Sequence, residues 1–376
     1  MIRFTGVGVL ARPFALLGNG MSLFDNVTTS IAGSQIENLQ HPSLFLQQNH
    51  ELFSSTAELF GQANQLLLDT TINNAGGVVG RIFNGATGPG PLASSFALPL
   101  LGCLGDMHQY MPSISEVTIE LTIADIIGRK IIDLIPVTPS LPTGFVLSEM
   151  ALVVDVIRFT DTSYFNQVTS GPISIRTSTN LYNSAPLAPL SNGIVDINIL
   201  SRCMSAKRMM FRFSSFNDAL TGIYGSSNPN SRSAQLFVGV DSFPNVPIRT
   251  SLPAVVKFYQ ARATGSVSSH AHPGSVVYTQ FCVRNVPDAM HTVTAVPTTL
   301  LTRVNTSSWS LVIDMESLTS SKQDLWTGTS IQASSAAFLR LEIVDALACP
   351  MTAHCMTVCD AVISLDPVSG TAKLIY

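Results

Sequence analysis

Apolar and polar positions alternate along most of this chain. Val117, Ile119, Leu121 and Ile123 alternate with Glu116, Thr118, Glu120 and Thr122, which predicts a half-buried strand. The same period of two recurs at Ile173/Ile175, Val195/Ile197/Ile199, Met209/Phe211/Phe213, Trp309/Leu311/Ile313, Leu339/Leu341/Ile343 and Ala361/Ile363/Leu365. Val276–Val283 and Thr371–Tyr376 are further strand candidates, and Leu147–Phe159, apolar on both faces, predicts a central strand. Helical spacing is rarer. Ser55-Thr-Ala-Glu58 is a capping box, and Leu59, Phe60, Ala63, Leu66 and Leu67 follow at helical intervals, predicting a helix near 55–69. Gly, Pro, Asn and Ser clusters at 73–91, 139–144, 170–172 and 184–193 predict the intervening loops.

One pattern occurs twice. Val27–Gly33, a polar stretch, Pro42 and Leu44–Phe53 form an alternating strand, a turn, a proline and a short amphipathic segment. Gln235–Asp241, Phe243-Pro244, Pro247 and Leu252–Gln260 repeat that order about two hundred residues later. Further strands follow each copy. The chain therefore divides into two similar β-rich halves of about eight strands each, a count that suits antiparallel sandwiches of the jelly-roll kind. The expected fold is all-β: two tandem eight-stranded antiparallel jelly-roll barrels with a few short helices. The polar, breaker-rich segment 222–233 reads as a linker between a first barrel at 25–221 and a second at 234–376. Residues 1–24 lack a clear period and read as an arm, either frayed or docked on a neighbour or a lipid surface.

Composition sharpens this picture. Only 12% of the 376 residues are charged, while 46% are hydrophobic; soluble domains usually carry about 25% charge. Mean hydropathy is +0.33. No uninterrupted apolar run approaches the roughly 18 residues of a spanning helix, so the apolar excess points to extensive interfaces with other chains. The net charge is −4, and the twenty Lys and Arg are scattered. No basic arm or patch marks sequence-specific nucleic-acid binding.

Candidate chemistry is sparse. His270 and His272 lie on one side of an extended stretch, yet no third ligand is near in sequence. Cys349, His354, Cys355 and Cys359 cluster, but with gaps that zinc sites seldom use, so buried thiols or a disulfide are the simpler readings. The six cysteines and the lack of an evident secretory signal suggest reduced thiols in an intracellular setting. The glycines of 76–90 precede no Gly-Lys-Ser/Thr, Asp106 and His108 have no identifiable nucleophile, and Glu116 and Glu120 read as wet positions of one strand. Trp309, Phe281, Phe338, Tyr259 and Phe211 read as packing residues. No catalytic, cofactor-binding or metal site is expected, and the chain is not expected to be an enzyme.

Ser233–Ile248 with the segment Leu252–Ala263 resembles the opening of the second barrel in double jelly-roll major capsid proteins of the adenovirus, tectivirus and Polinton-like lineage. Ala206–Phe213 looks like the closing strand of such a protein's first barrel. Ala97–Leu100, Tyr110-Met-Pro112 and the strand 116–123 look like its earlier part. Gly328-Thr-Ser330, the strand 338–343 and Thr357–Tyr376 with its Asp-Pro-Val-Ser-Gly turn resemble the family's ending. The resemblance implies a homotrimer of two-barrel chains, a pseudo-hexameric block that tiles an icosahedral shell around a DNA genome. Neighbouring trimers, penton proteins and minor capsid proteins would be its partners. The 1–24 arm would be available for contact with an inner membrane or the genome. The place of action would be the virion capsid, assembled inside the host cell. The chain is short for the lineage, so any outward tower loops should be small. The rival reading is a carbohydrate-binding or adhesive β-sandwich, for which two Trp and few clustered acids are thin support.

Overall fold

The computed structural model describes residues 2–7, 14–16, 20–46, 82–83, 92–112, 116–124, 131–133, 144–188, 193–215, 231–259, 309–316, 328–344 and 347–376, with short gaps inside several of these ranges. The expected helix at 55–69, the strand at 276–283 and the His270/His272 pair lie outside them. Within the expected loop 73–91, Ile82–Phe83 forms a strand.

The first part of the chain supplies β1 (Ile2–Val7), β2 (Phe14–Leu16), β3 (Phe24–Ile31), β4 (Ser34–Gln40), β5 (Ile82–Phe83), β6 (Leu92–Phe96), β7 (Val117–Ile123), β8 (Ile131–Asp133) and β9 (Gly144–Ser148). They form three antiparallel sheets in the orders β6-β1-β9, β5-β2-β8 and β4-β3-β7. The rest supplies β10 (Ile173–Leu187), β11 (Gly193–Asn198), β12 (Cys203–Ser215), β13 (Ser231–Val238), β14 (Asp241–Ile248), β15 (Leu311–Asp314), β16 (Thr329–Ile331), β17 (Ala337–Ile343), β18 (Met351–Asp366) and β19 (Thr371–Ile375). One sheet runs β10-β18-β12-β15, with β16 on β12 and β19 on β18; the facing sheet runs β11-β17-β13-β14.

These two facing sheets interleave chain order as a jelly roll does. Period-two alternation sends Met209, Phe211 and Phe213 of β12, Leu311 and Ile313 of β15, and Ala353 and Cys355 of β18 into one core. There they meet Leu236 of β13 and Leu339, Leu341 and Ile343 of β17. Trp309 lies fully buried among them, its ring 5.6 Å from that of Phe213. On the solvent side, Arg340 makes a bidentate pair with Asp196 at 2.8 Å and lies over the stacked rings of Phe237 and Phe338.

The first part repeats this wiring. β3, β4 and β7 occupy the positions of β13, β14 and β17: a hairpin with a third strand against its first member. β1 and β2 correspond to β12, β5 and β6 to β15, and β8 and β9 to β18, matching in both chain order and adjacency. The duplicated sequence pattern is this hairpin followed by a helical turn, at 42–46 in one copy and around 255–259 in the other.

Strand pairing corrects the expected boundaries. β10, β11 and β12 pair with β18 and β17, so residues 173–215 belong to the second sandwich, not the first. The expected linker 222–233 falls between β12 and β13 of that one sandwich, its last three residues being the start of β13, so it does not divide two barrels. Accordingly Ala206–Phe213 is an inner strand of the second unit. The expected 1–24 arm is also revised: β1 lies between β6 and β9, and β2 between β5 and β8, so this stretch builds the first unit. The strand expected at 147–159 ends at Ser148, and its continuation leaves Val153 and Val156 exposed.

Candidate junction and assembly surfaces

β10 and β18 are long, 15 and 16 residues, and pair over their whole length. One end of the pair lies in the second core. The other end reaches the first unit, where Ile175, Ile363 and Leu365 pack with Ile31 of β3 and Cys103. The chain thus joins its two units through continuous β-structure.

A polar seam accompanies this contact. Glu37 of β4 is buried; it accepts the backbone N–H of Cys103 at 2.8 Å and the hydroxyl of Thr179 of β10. Burial pushes the Glu37 carboxyl above its ordinary range, and these hydrogen bonds oppose the rise. Thr177 donates to the Cys103 carbonyl at 2.5 Å, and Ser178 donates to Asp106. Gly102, which opens the 3-10 turn at 102–104, has φ +75, a left-handed value that glycine tolerates, and a Cβ there would overlap the Glu37 carboxylate.

Beside the seam, His354 of β18 bridges Tyr182 and Ser214. Its Nδ1 lies 2.7 Å from the Tyr182 hydroxyl and its Nε2 lies 2.7 Å from the Ser214 hydroxyl. Burial drives the His354 pKa down to about 3, helped by the nearby positive charge of His41 and Arg212, so the ring is neutral. A serine beside a histidine suggests a nucleophile, but both residues are buried in the strand packing, and their role here is to satisfy each other.

Of the residues singled out for metal chemistry, His354, Cys355 and Cys359 are described, all on β18. Cys355 and Cys359 are free, buried thiols; burial raises Cys355 to about 12, and Cys359 is held protonated by its hydrogen bond with Cys203 and by burial. Cys349 and His108 lie outside the described residues. Among the described residues no group of three or more His, Cys, Asp or Glu is placed to hold a metal ion. Asp106 is engaged with Ser178, while Glu120 on β7 and Glu116, just before that strand, are exposed. Trp309 and Phe211 lie in the core as read from sequence. The seam around Glu37 was not foreseen, because its members are separated by 66 and 142 residues.

Two surface features stand out. A cleft of about 410 Å³ lies between the units, lined by polar groups including Asn38, Gln40, Asn183, Tyr182 and Arg202. Apolar side chains also face outward: Val240 is 99% exposed, Val368 84%, and Ile194 and Val246 both 70%.

No family model and no curated protein matches the chain by sequence. Solved structures do. VP54 of the virus PBCV-1, as fitted into a reconstruction of the virophage Sputnik, matches with a TM-score of 0.54 at 13% identity, over 100% of this chain and 89% of that one. The PBCV-1 virus capsid matches at 0.53 and 11% identity, over 100% and 88%. The Sputnik virophage structure matches at 0.54 and 10% identity, over 99% and 80%. The chain therefore has the all-β, double jelly-roll fold of viral capsid proteins.

Proposed function

We propose that this chain is a viral major capsid protein that acts by self-assembly. Homotrimers would form pseudo-hexameric blocks, and these would tile an icosahedral shell around a DNA genome inside the virion. The observation that carries the reading is the duplicated jelly-roll wiring among the described residues, with a fold match to the PBCV-1 and Sputnik capsid structures. The 12% charge content and the outward Val240, Val246, Ile194 and Val368 support it, since a protomer with large lateral interfaces needs apolar surface. Cyclic threefold closure gives a finite block, and contacts between blocks extend the shell. Penton and minor capsid proteins would fill positions the trimers leave open. Within this reading the first unit spans residues 2–148 and the second 173–376.

Expression followed by light scattering and electron microscopy tests the assignment: trimers that assemble into closed shells support it, and a stable monomer at micromolar concentration contradicts it.

The cleft between the units favours one rival. Its amides, tyrosine and arginine match sugar hydroxyls chemically, as expected of a carbohydrate-binding sandwich. A glycan array separates the two readings: saturable binding that Asn183→Ala abolishes favours the rival, and an array without hits removes it.

A further inference from the structure

Cys203 and Cys359 meet in the second core although most of that sandwich's sequence separates them. Cys203 opens β12, and Cys359 lies inside β18, the strand beside it. The β12–β18 ladder ends at the pair Ala206 and Cys359. A regular continuation of β12 would carry Cys203 three residues, about 10 Å, past Cys359. The register instead shifts twice, between Ala206 and Arg208 against β18 and between Cys203 and Ala206 against β16. Such irregularities bend a strand. Here the two thiols share a hydrogen bond inside one apolar core, with Cys203 4% exposed and Cys359 fully buried. Polar groups pin the same two strands alongside. Asp360 of β18 accepts the Ser205 hydroxyl at 2.6 Å and pairs with the Lys207 ammonium at 2.8 Å, both from β12. No other pair among the described cysteines is so placed. Cys355 is four residues from Cys359 on the same strand, about 13 Å away, and its thiol lies 3.9 Å from the Thr357 hydroxyl. Cys103 lies in the other core, beside Glu37.

We infer that Cys203 and Cys359 form a reversible disulfide, a covalent staple between β12 and β18 that closes under a peroxide oxidant. The two sulfurs take different parts. The hydrogen bond from Cys359 favours the thiolate at Cys203, helped by the Ser205 N–H and opposed by burial and Asp360. The Cys203 sulfur attacks one peroxide oxygen, the O–O bond breaks, and the leaving hydroxide takes up the proton Cys203 released, giving water and a sulfenic acid. The Cys359 sulfur then attacks the sulfenic sulfur, the S–O bond breaks, and the departing hydroxide takes the Cys359 proton. Two thiols and one peroxide thus yield one disulfide and two waters. The sulfurs must close to about 2.05 Å. The bulged start of β12, where the ladder is already interrupted, is where the backbone can give. The closed loop holds β13 through β17, so the staple restricts the unfolded chain and stabilises the second sandwich. In a shell assembled inside a reducing cell the staple stays open, and it closes outside. That timing rests on the capsid reading; the cross-link itself does not.

The experiment uses the full chain, folded and unassembled, treated with hydrogen peroxide and then denatured, alkylated and digested. A linked pair of peptides holding Cys203 and Cys359 is expected, with alkylation at both falling at least about tenfold and alkylation at Cys103 and Cys355 unchanged. Dithiothreitol should restore both thiols, and the oxidised chain should unfold at higher urea than the reduced one. Cys359→Ser should leave a sulfenic acid on Cys203 that dimedone traps, while Cys203→Ser should leave Cys359 unmodified. Full alkylation of both cysteines after peroxide, a link to any other cysteine, or sulfinic acid on Cys203 without a link overturns the inference. Those three outcomes are read from the parent chain, so they decide the matter whether or not a serine variant folds.

Discussion

Glu37 of the first unit accepts a hydrogen bond from the hydroxyl of Thr179 in the second, across 142 residues of chain. The same carboxylate takes the Cys103 N–H, so one buried side chain serves β4, β10 and the turn at 102–104. Replacing it with alanine leaves an N–H and a hydroxyl without their acceptor, which costs about 1–3 kcal/mol. Urea unfolding of Glu37→Ala should show that loss. A midpoint unchanged from the parent chain would remove Glu37 from the junction.

Glu37 also sets a pH dependence. Its folded pKa lies above the ordinary 4.5, so the native state holds the proton more tightly than the unfolded chain does. Stability from this group is full below 4.5 and falls as pH rises through the folded value. Glu37→Gln should remove that slope. Denaturation at a series of pH values from 4 upward, for both chains, is the check.

His354 works in the opposite direction. Its folded pKa of about 3 lies below the ordinary 6.5, so the stability linked to the neutral ring is full above 6.5 and is lost as pH falls toward 3. At about 1.4 kcal/mol per unit the total is at most on the order of 5 kcal/mol. His354→Gln should be less stable than the parent at pH 7 yet lose less between pH 6.5 and 4. An acid limb of unchanged steepness would contradict the assignment.

Gly102→Ala strains the backbone at φ +75 and drives a methyl group into the Glu37 carboxylate. A cost of about 1–3 kcal/mol is expected. The double variant Gly102→Ala, Glu37→Ala should lose less than the sum of the two single losses, since the clash then disappears while the φ strain remains. Strict additivity in the double-mutant cycle would show that the two residues do not interact.

Phe213→Ala opens a cavity beside Trp309 in the second core and should cost about 3–5 kcal/mol. Val240→Asp with Val246→Asp changes only exposed positions and should leave the unfolding midpoint within about 0.5 kcal/mol of the parent. Under the capsid reading the pair should sharply reduce shell yield, measured by sedimentation. Normal yield would show that these valines lie outside the lateral interfaces.

Much of this architecture was legible residue by residue. The alternations at 117–123, 209–213, 339–343 and 361–365 lie in strands, and that at 195–199 does so up to Asn198, because a half-buried strand must alternate. The duplicated hairpin and helical turn were visible for the same reason. What local pattern does not carry is partnership. The loop chemistry of 222–233 marks a break, but only the pairing of β11 with β17 and of β12 with β18 reveals that both sides of the break share one sandwich. β1 and β2 escaped notice because six and three residues are too few to establish a period. The Glu37 seam escaped because a single carboxylate on a short strand looks like any solvent-facing position until Thr179 and Cys103 are brought beside it.

The most direct test of the central claim is the mass of the purified chain in solution by light scattering coupled to sizing, followed by imaging of the same sample. Self-assembly through jelly-roll flanks predicts three chain masses in a block with pseudo-sixfold outline. A monodisperse monomer at micromolar concentration, or a dimer without that outline, would contradict it.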